Sequence, residues 1–413
     1  MKKLIGALAL AAMVATSAFA EVSFGAWICN LPTLIASDGE DMKSGIVNPW
    51  GSWRPVRFAA NWASDDGKAG MTMGVCIENG KIDTFTPNTF WIKPVDQVKV
   101  IVGMMDNSFG VRSDLCYGSW DWLRPNNAIA WGEGITFGAY DKKGLGVEIT
   151  PTEALKIFVT VPLAEGYGDT WKVFGHSAAG ATYTIDGIGT IKAGFNAAYD
   201  GGKAGGKWNF TGSTNTDGYD TFQAALDDAA KLDQAAVQSI TRGAYTYGGK
   251  SELGTIQAAF DLTGVDKLYA TLGVAFKLHE DSDQQSLTVA AGASYGITET
   301  FKVAADVAFQ KSFASGSDPA MSFGAGINYA LTDALGLVAD VRMALPFAST
   351  KDPSLSFLAG LNYSCGSNAS LGLGFQGAVG LGKKADAGNL QVVKASAADK
   401  FAWAVPIRAS FWF

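Results

Sequence analysis

Along the second half of the chain, apolar and small residues alternate one by one. Over 321–331, one side carries Met321, Phe323, Ala325, Ile327, Tyr329 and Leu331, and the other Ser322, Gly324, Gly326, Asn328 and Ala330. The stretches 301–309 and 335–345 divide in the same way. A period of two is that of an extended strand, whose successive side chains point to opposite faces. Similar runs over roughly 97–106, 144–163, 172–199, 252–279, 284–297, 353–381 and 400–413 predict a chain that is almost all β. Short, similar turns join the strands in pairs, as in Ile297-Thr298-Glu299-Thr300 and Leu331-Thr332-Asp333-Ala334.

The unit recurs. Gly292-Ala-Ser-Tyr295, Gly326-Ile-Asn-Tyr329 and Gly360-Leu-Asn-Tyr363 are spaced 34 residues apart, as are Asp306 and Asp340. The last two are therefore expected at one height, as neighbours in a row. A helical repeat of that length would place apolar residues every three or four positions, and this chain does not.

The second face decides what the first one touches. In a soluble sandwich it would be rich in Lys, Glu and Thr. Here it is mostly Gly, Ala, Ser and Asn with scattered charges, which suits the concave inside of a closed barrel. Strands of about ten residues with aromatics near their ends fit a barrel that crosses a bilayer. Tyr295, Tyr329 and Tyr363 would then form an aromatic girdle at one interface. Lipid is the expected partner of the apolar face.

Residues 1–20 read as an address. Lys2 and Lys3 precede an apolar run from Leu4 to Val14, and Ala18-Phe19-Ala20 offers a cleavage site, the layout of a secretory signal peptide. The expected mature barrel is 21–413. At its end Phe401, Trp403, Val405, Ile407, Ala409, Phe411 and Phe413 alternate with smaller or polar residues, and the chain stops on an aromatic. That ending resembles the C-terminal strand of bacterial outer-membrane β-barrels. Together with the address, the alternation and the turns, it makes the chain similar to a barrel of the porin kind, with no subfamily matched. The resemblance implies that Phe411 and Phe413 mark the strand end read by barrel-assembly machinery. It implies further an outer-membrane location and both termini on the periplasmic side. A homo-oligomer is possible, though no residue marks a seam.

Strands of 9–11 residues give a closed antiparallel barrel of about 16–18 strands. Prolines 32, 49, 55, 87 and 94 interrupt the first quarter, because Pro is confined to strand ends and bulges. The longer connections 31–52, 107–134, 164–171, 201–250, 280–284, 313–319, 346–353 and 382–398 are expected outside, and the turns holding Thr150, Thr263, Thr298 and Thr332 at the periplasmic end. In 107–134, Trp120, Trp122 and Trp131 lie among charges; they would pack that loop on the wall, stack on a sugar or line a constriction. The long extracellular loop 201–250 carries apolar residues at helical spacing from Phe222 to Ile240. This predicts an amphipathic helix over about 220–242, capped by Asp220 and Gly243. Its acidic polar face is unlike that of a membrane-surface helix, so it is expected over or in the barrel mouth.

Composition and charge exclude further classes. Of 413 residues, 48% are hydrophobic and only 17% charged, and 50 are Gly. Disorder is thereby excluded. A net charge of -7 argues against nucleic acid as partner. The four cysteines (Cys29, Cys76, Cys116, Cys365) lack metal-ligand spacing and assign no disulfide. No metal or cofactor motif is present.

Lys99, Glu148, Lys156, Lys277, Lys302, Asp306, Asp340, Arg342 and Arg408 all fall on the small-residue face. On the lipid face a Lys or Arg near the midplane would cost roughly 2–4 kcal/mol, so these are the candidate pore-lining residues. Facing acids and bases across a pore set up a transverse field. The expected function is passive diffusion of small hydrophilic solutes. A closed-lumen surface protein whose loops act as an adhesin is the first rival. A transporter of apolar substrates would want an apolar pocket and an N-terminal plug. An outer-membrane hydrolase would need a base such as His279, beside Glu280 and Asp281. The chain is read as non-enzymatic.

Overall fold

A computed structural model describes residues 22–47, 56–78, 81–105, 143–163, 175–198 and 252–413 (apart from 389, 391 and 392), with shorter pieces between 111 and 137 and between 203 and 247. The proposed signal peptide, Trp120, Trp122, Trp131, Cys116 and the 164–171 connection lie outside the described residues.

The alternation becomes one antiparallel sheet. Its first strands are β1 (Ser23–Ser37), β2 (Met42–Val47), β3 (Val56–Ala63), β4 (Ala69–Glu78), β5 (Lys81–Val95) and β6 (Val98–Met104). Next come β7 (Lys143–Thr152), β8 (Leu155–Pro162), β9 (Ala178–Ile185), β10 (Gly189–Ala197), β11 (Glu252–Val265) and β12 (Leu268–His279). The series ends with β13 (Ser286–Gly296), β14 (Phe301–Ser312), β15 (Ala320–Ala330), β16 (Leu335–Pro346), β17 (Ser354–Ser364), β18 (Ala369–Gly380) and β19 (Ala402–Trp412). Strands β2 and β3 share one position, pairing with the far and near halves of β1. The ring therefore has 18 strand positions, and β19 closes it on β1. Phe413 exchanges backbone hydrogen bonds with Ala26 at 3.0 and 3.1 Å, finishing the seam at the end that bears both termini.

Closure joins the last strand to the first and separates two environments. The outer face shows Phe323, Tyr329, Val341, Leu361, Leu371 and Leu373, and even at mid-strand Leu373 is half exposed (50%). So much apolar surface in contact with water would be untenable for a soluble monomer. Tyr295, Tyr329 and Tyr363 stand exposed on this face near the terminal-bearing end, the Tyr329 ring edge-on to Phe301 at 5.8 Å. At the same end the connections are tight. Asp266-Lys267 joins β11 to β12, with Lys267 in the left-handed region at φ 59.

The first quarter departs from expectation. Of the expected outer connection 31–52, residues 31–47 are mostly strand: β1 runs on to Ser37 and β2 spans Met42–Val47, with Asp38–Asp41 as the turn between them, while 48–52 lie outside the described residues. Pro32 fits because the register shifts just after it, between Thr33 and Ala36 against β2 and between Thr33 and Ile35 against β19. Pro87 sits opposite a second shift, between Thr72 and Gly74. There the Asn88 side chain both accepts from Gly74 N–H and donates to Gly74 C=O, at 3.0 Å each, restoring bonds the bulge removes.

The helix is also shorter than its pattern. It is α1 (Phe222–Ala229), not 220–242, and Asp220 and Gly243 lie outside the described residues. After it the chain tightens into a turn, with Lys231 N–H bonded to Asp228 C=O and Leu232 N–H to Ala229 C=O. Ala225, Ala229 and Ala236 pack with Phe210, Trp208, Tyr219 and Ile240, all from the same loop. The apolar stripe is thus spent on a small core belonging to the loop itself.

Candidate functional site: the inward-facing wall

Residues paired across a ladder share a face, so register places the charged candidates. Lys99 faces Glu148 between β6 and β7. From the second residue of β8, Lys156 reaches the same carboxylate at 2.7 Å. The Lys99 ammonium lies 4.9 Å from the centre of the Trp91 ring and the Lys93 ammonium 5.7 Å. Trp91 lies against Gly70, where a Cβ would come within 2.4 Å of the ring. Only glycine leaves that room on β4.

On the far side of the ring the charges are locked. Asp306, Gly324 and Arg342 lie opposite one another in register across β14, β15 and β16. Gly324 lets the guanidinium cross the intervening strand: Arg342 Nη1 donates to both oxygens of Asp306 at 3.1 Å. Its Nε and Nη2 donate to Asp340 at 2.9 and 3.2 Å. The Arg342 side chain is only 3% exposed, those of Asp306 and Asp340 7% and 4%. The expectation that Asp306 and Asp340 share a row is corrected, since Asp340 pairs with Gly326 and Leu358. The repeat steps 34 residues while the row steps 36, from Asp306 to Arg342. That stagger of one residue per strand is what tilted barrel strands require.

Other pairs follow the same lateral pattern. Lys277 bonds Glu252 at 2.6 Å near the far end. Lys192 bonds Asp261, which also accepts from the Thr271 hydroxyl at 2.7 Å. These acids and bases meet on neighbouring strands, so their fields are local to the wall. Lys302 pairs with Asn328 and Gly296, and Arg408 with Gly372, in the ladder on the same inward face. Lys93, Trp91, Lys192, Asp261 and Glu252 were not singled out from sequence. The parity of Phe90 and Ile92 against Trp91 and Lys93 carried the signal for two of them, beneath the prolines that obscured it.

The inner face is not polar throughout. Ile101, Met105 and Phe158 join Ala259, Ala290 and Ala308 in one buried cluster, with Trp91 and Ala275 packed against it. At the mouth opposite the termini, Leu390, Val393 and Ala395 of the 381–401 connection pack on inward-facing Ala36, Ala378, Ala402 and Ala404. Gly388 approaches so closely that a Cβ would meet Ala378 C=O at 2.4 Å. Ser396 N–H donates to Asp38 C=O at 2.9 Å, tying this connection to the β1–β2 turn. Among the described residues, 381–401 is therefore a connection that folds inward, whereas α1 packs on its own loop. The Asp38 carboxyl is held far below its ordinary range by the Lys43 ammonium and the N–H groups of Asp41 and Glu40.

His279 caps its own turn, its Nδ1 accepting from Asp281 N–H at 2.9 Å. Cys76 is buried and Cys365 exposed.

In sequence, no family model and no curated protein matches the chain. In structure it resembles an anion-selective porin from Comamonas acidovorans, with TM-score 0.51 and 13% identity over 95% of this chain and 99% of that one. The outer-membrane channel DcaP of Acinetobacter baumannii gives 0.45 and 12% over 96% and 98%. A loop-deleted OmpT from Vibrio cholerae gives 0.43 and 12% over 95% and 99%. The fold is that of a large bacterial outer-membrane porin barrel.

Proposed function

We propose that the chain is an outer-membrane channel that lets small hydrophilic solutes diffuse through its interior, and that it is not an enzyme. The observation that carries this is the division of faces: a ring of exposed apolar side chains outside, and inside it a wall of small residues with every candidate charge. On this reading residues 1–20 are removed on export and Phe411 and Phe413 present the final strand for assembly. Tyr295, Tyr329 and Tyr363 sit at the periplasmic interface, and self-association is optional. Of the nine candidate residues, Lys99, Glu148, Lys156, Lys277 and Lys302 contact the solute path, whereas Asp306, Asp340, Arg342 and Arg408, nearly removed from solvent, brace the wall behind it.

A closed-lumen surface barrel is the second reading, favoured by the inward-folded 381–401 connection and the apolar cluster around Phe158. Planar-bilayer recordings of the refolded full chain separate the two. Discrete, reproducible openings support the channel, and silence at all voltages supports the surface protein. Loss of a hydrolytic activity in His279→Ala would be required of the enzyme reading.

A further inference from the structure

Resting on the channel reading, we infer that the passage favours anions, and that Lys93, Lys99 and Lys156 around Trp91 and Glu148 are the station that selects them. Lys99 and Lys156 flank the Glu148 carboxylate and Lys93 lies by Trp91 beside Lys99, an excess of two positive charges among the described side chains of β5–β8. The chain as a whole is acidic, with net charge -7, so a basic wall is not a by-product of composition.

How these lysines are held is the central point. A carboxylate that fixes a lysine also cancels its charge, as Asp261 does for Lys192. An aromatic face attracts the ammonium through its quadrupole yet leaves the charge in place. Trp91, packed against Gly70, positions Lys93 and Lys99 in that way. The device recurs two strands away, with the Arg57 guanidinium 5.0 Å from the Trp27 ring. Lys156 and Glu148 retain 36% and 20% exposure, so water and ions reach the group. Each ammonium carries three donors, more than Glu148 alone can accept. A low-dielectric wall focuses their field into the passage. The solute class is a small anion with carboxylate or phosphate oxygens, chloride being the simplest probe.

The test is the reversal potential of the refolded full chain in a planar bilayer under a roughly tenfold KCl gradient. The wild type should pass chloride in preference to potassium. Lys99→Glu with Lys156→Glu should lower that ratio at least about threefold, and Glu148→Gln should raise it. Acetate or inorganic phosphate added to the bath should reduce chloride current in the wild type and not in the double variant. The neutral pair Lys99→Gln with Lys156→Gln, checked by heat-modifiable gel migration, separates lost charge from lost folding; it should give an intermediate ratio. A conducting wild type with no preference or a preference for potassium, or a ratio unmoved in a folded double variant, overturns the inference and leaves the channel standing. A folded wild type that never conducts overturns the channel reading itself.

Discussion

Two stretches of one wall treat positive charge in opposite ways. On β14–β16, Arg342 is wedged between Asp306 and Asp340, all three nearly removed from solvent, with Gly324 left bare so that the guanidinium can cross. On β5–β8, Lys93 and Lys99 rest by an indole and outnumber the single carboxylate near them. The backbone, the alternation and the facing are the same. Only the partner differs, and with it the use: an acid partner makes a cross-strand lock, an aromatic partner leaves the charge available to the passage.

The largest effect should come from the lock. Arg342→Met leaves two buried carboxylates without their cation and should destabilise the barrel by about 3–5 kcal/mol, read from urea midpoints in detergent micelles. Replacing Asp306 and Asp340 by Asn in the same protein should recover most of that loss. Lys192→Met should cost less, about 2–3 kcal/mol, because Thr271 still donates to Asp261. Gly324→Ala puts a Cβ 2.7 Å from Asp306 Oδ2 and 2.8 Å from Arg342 Nη1. Both are ends of side chains that can move, so about 1–2 kcal/mol is expected. The contrast is sharpest at the station: Lys99→Met with Lys156→Met should change stability by less than about 1 kcal/mol while altering ion preference. Equal losses of stability at both stretches would break the comparison.

The smallest effect concerns pH at the mouth. The folded Asp38 carboxyl lies below its unfolded value of about 3.9. Its contribution is therefore complete above that value and lost as pH falls through the folded one. Protease protection of the 381–401 connection should stay constant from pH 7 to about 5 and fall only in stronger acid. Asp38→Asn should remove the acid-dependent phase.

Much of this was legible in the sequence. The clean parity of 301–345 gives strands, faces and the placement of Asp306, Asp340 and Arg342, because period two in a closed sheet leaves each side chain one choice. What the parity cannot give is stagger, which is why Asp306 and Asp340 looked like row neighbours until register joined both to Arg342. Prolines hid β1 and β5, since a bulge and the Asn88 amide repair the ladder in ways no pattern displays. The 220–242 pattern overran α1 because apolar spacing records that a face is buried, not where the helix stops. Leu390, Val393 and Ala395, spread over a Gly- and Ala-rich connection, carried no period at all.

The division of faces requires that apolar side chains meet lipid while the small-residue face surrounds water. Its most direct test places a fluorophore on single cysteines at Phe323 and at Asn328, in a chain whose four native cysteines are Ser, reconstituted with brominated-chain lipids. The label at 323 should be quenched strongly, while the label at 328 should be spared by the lipid and quenched by aqueous iodide. Bromine quenching at 328 with none at 323 would contradict the account.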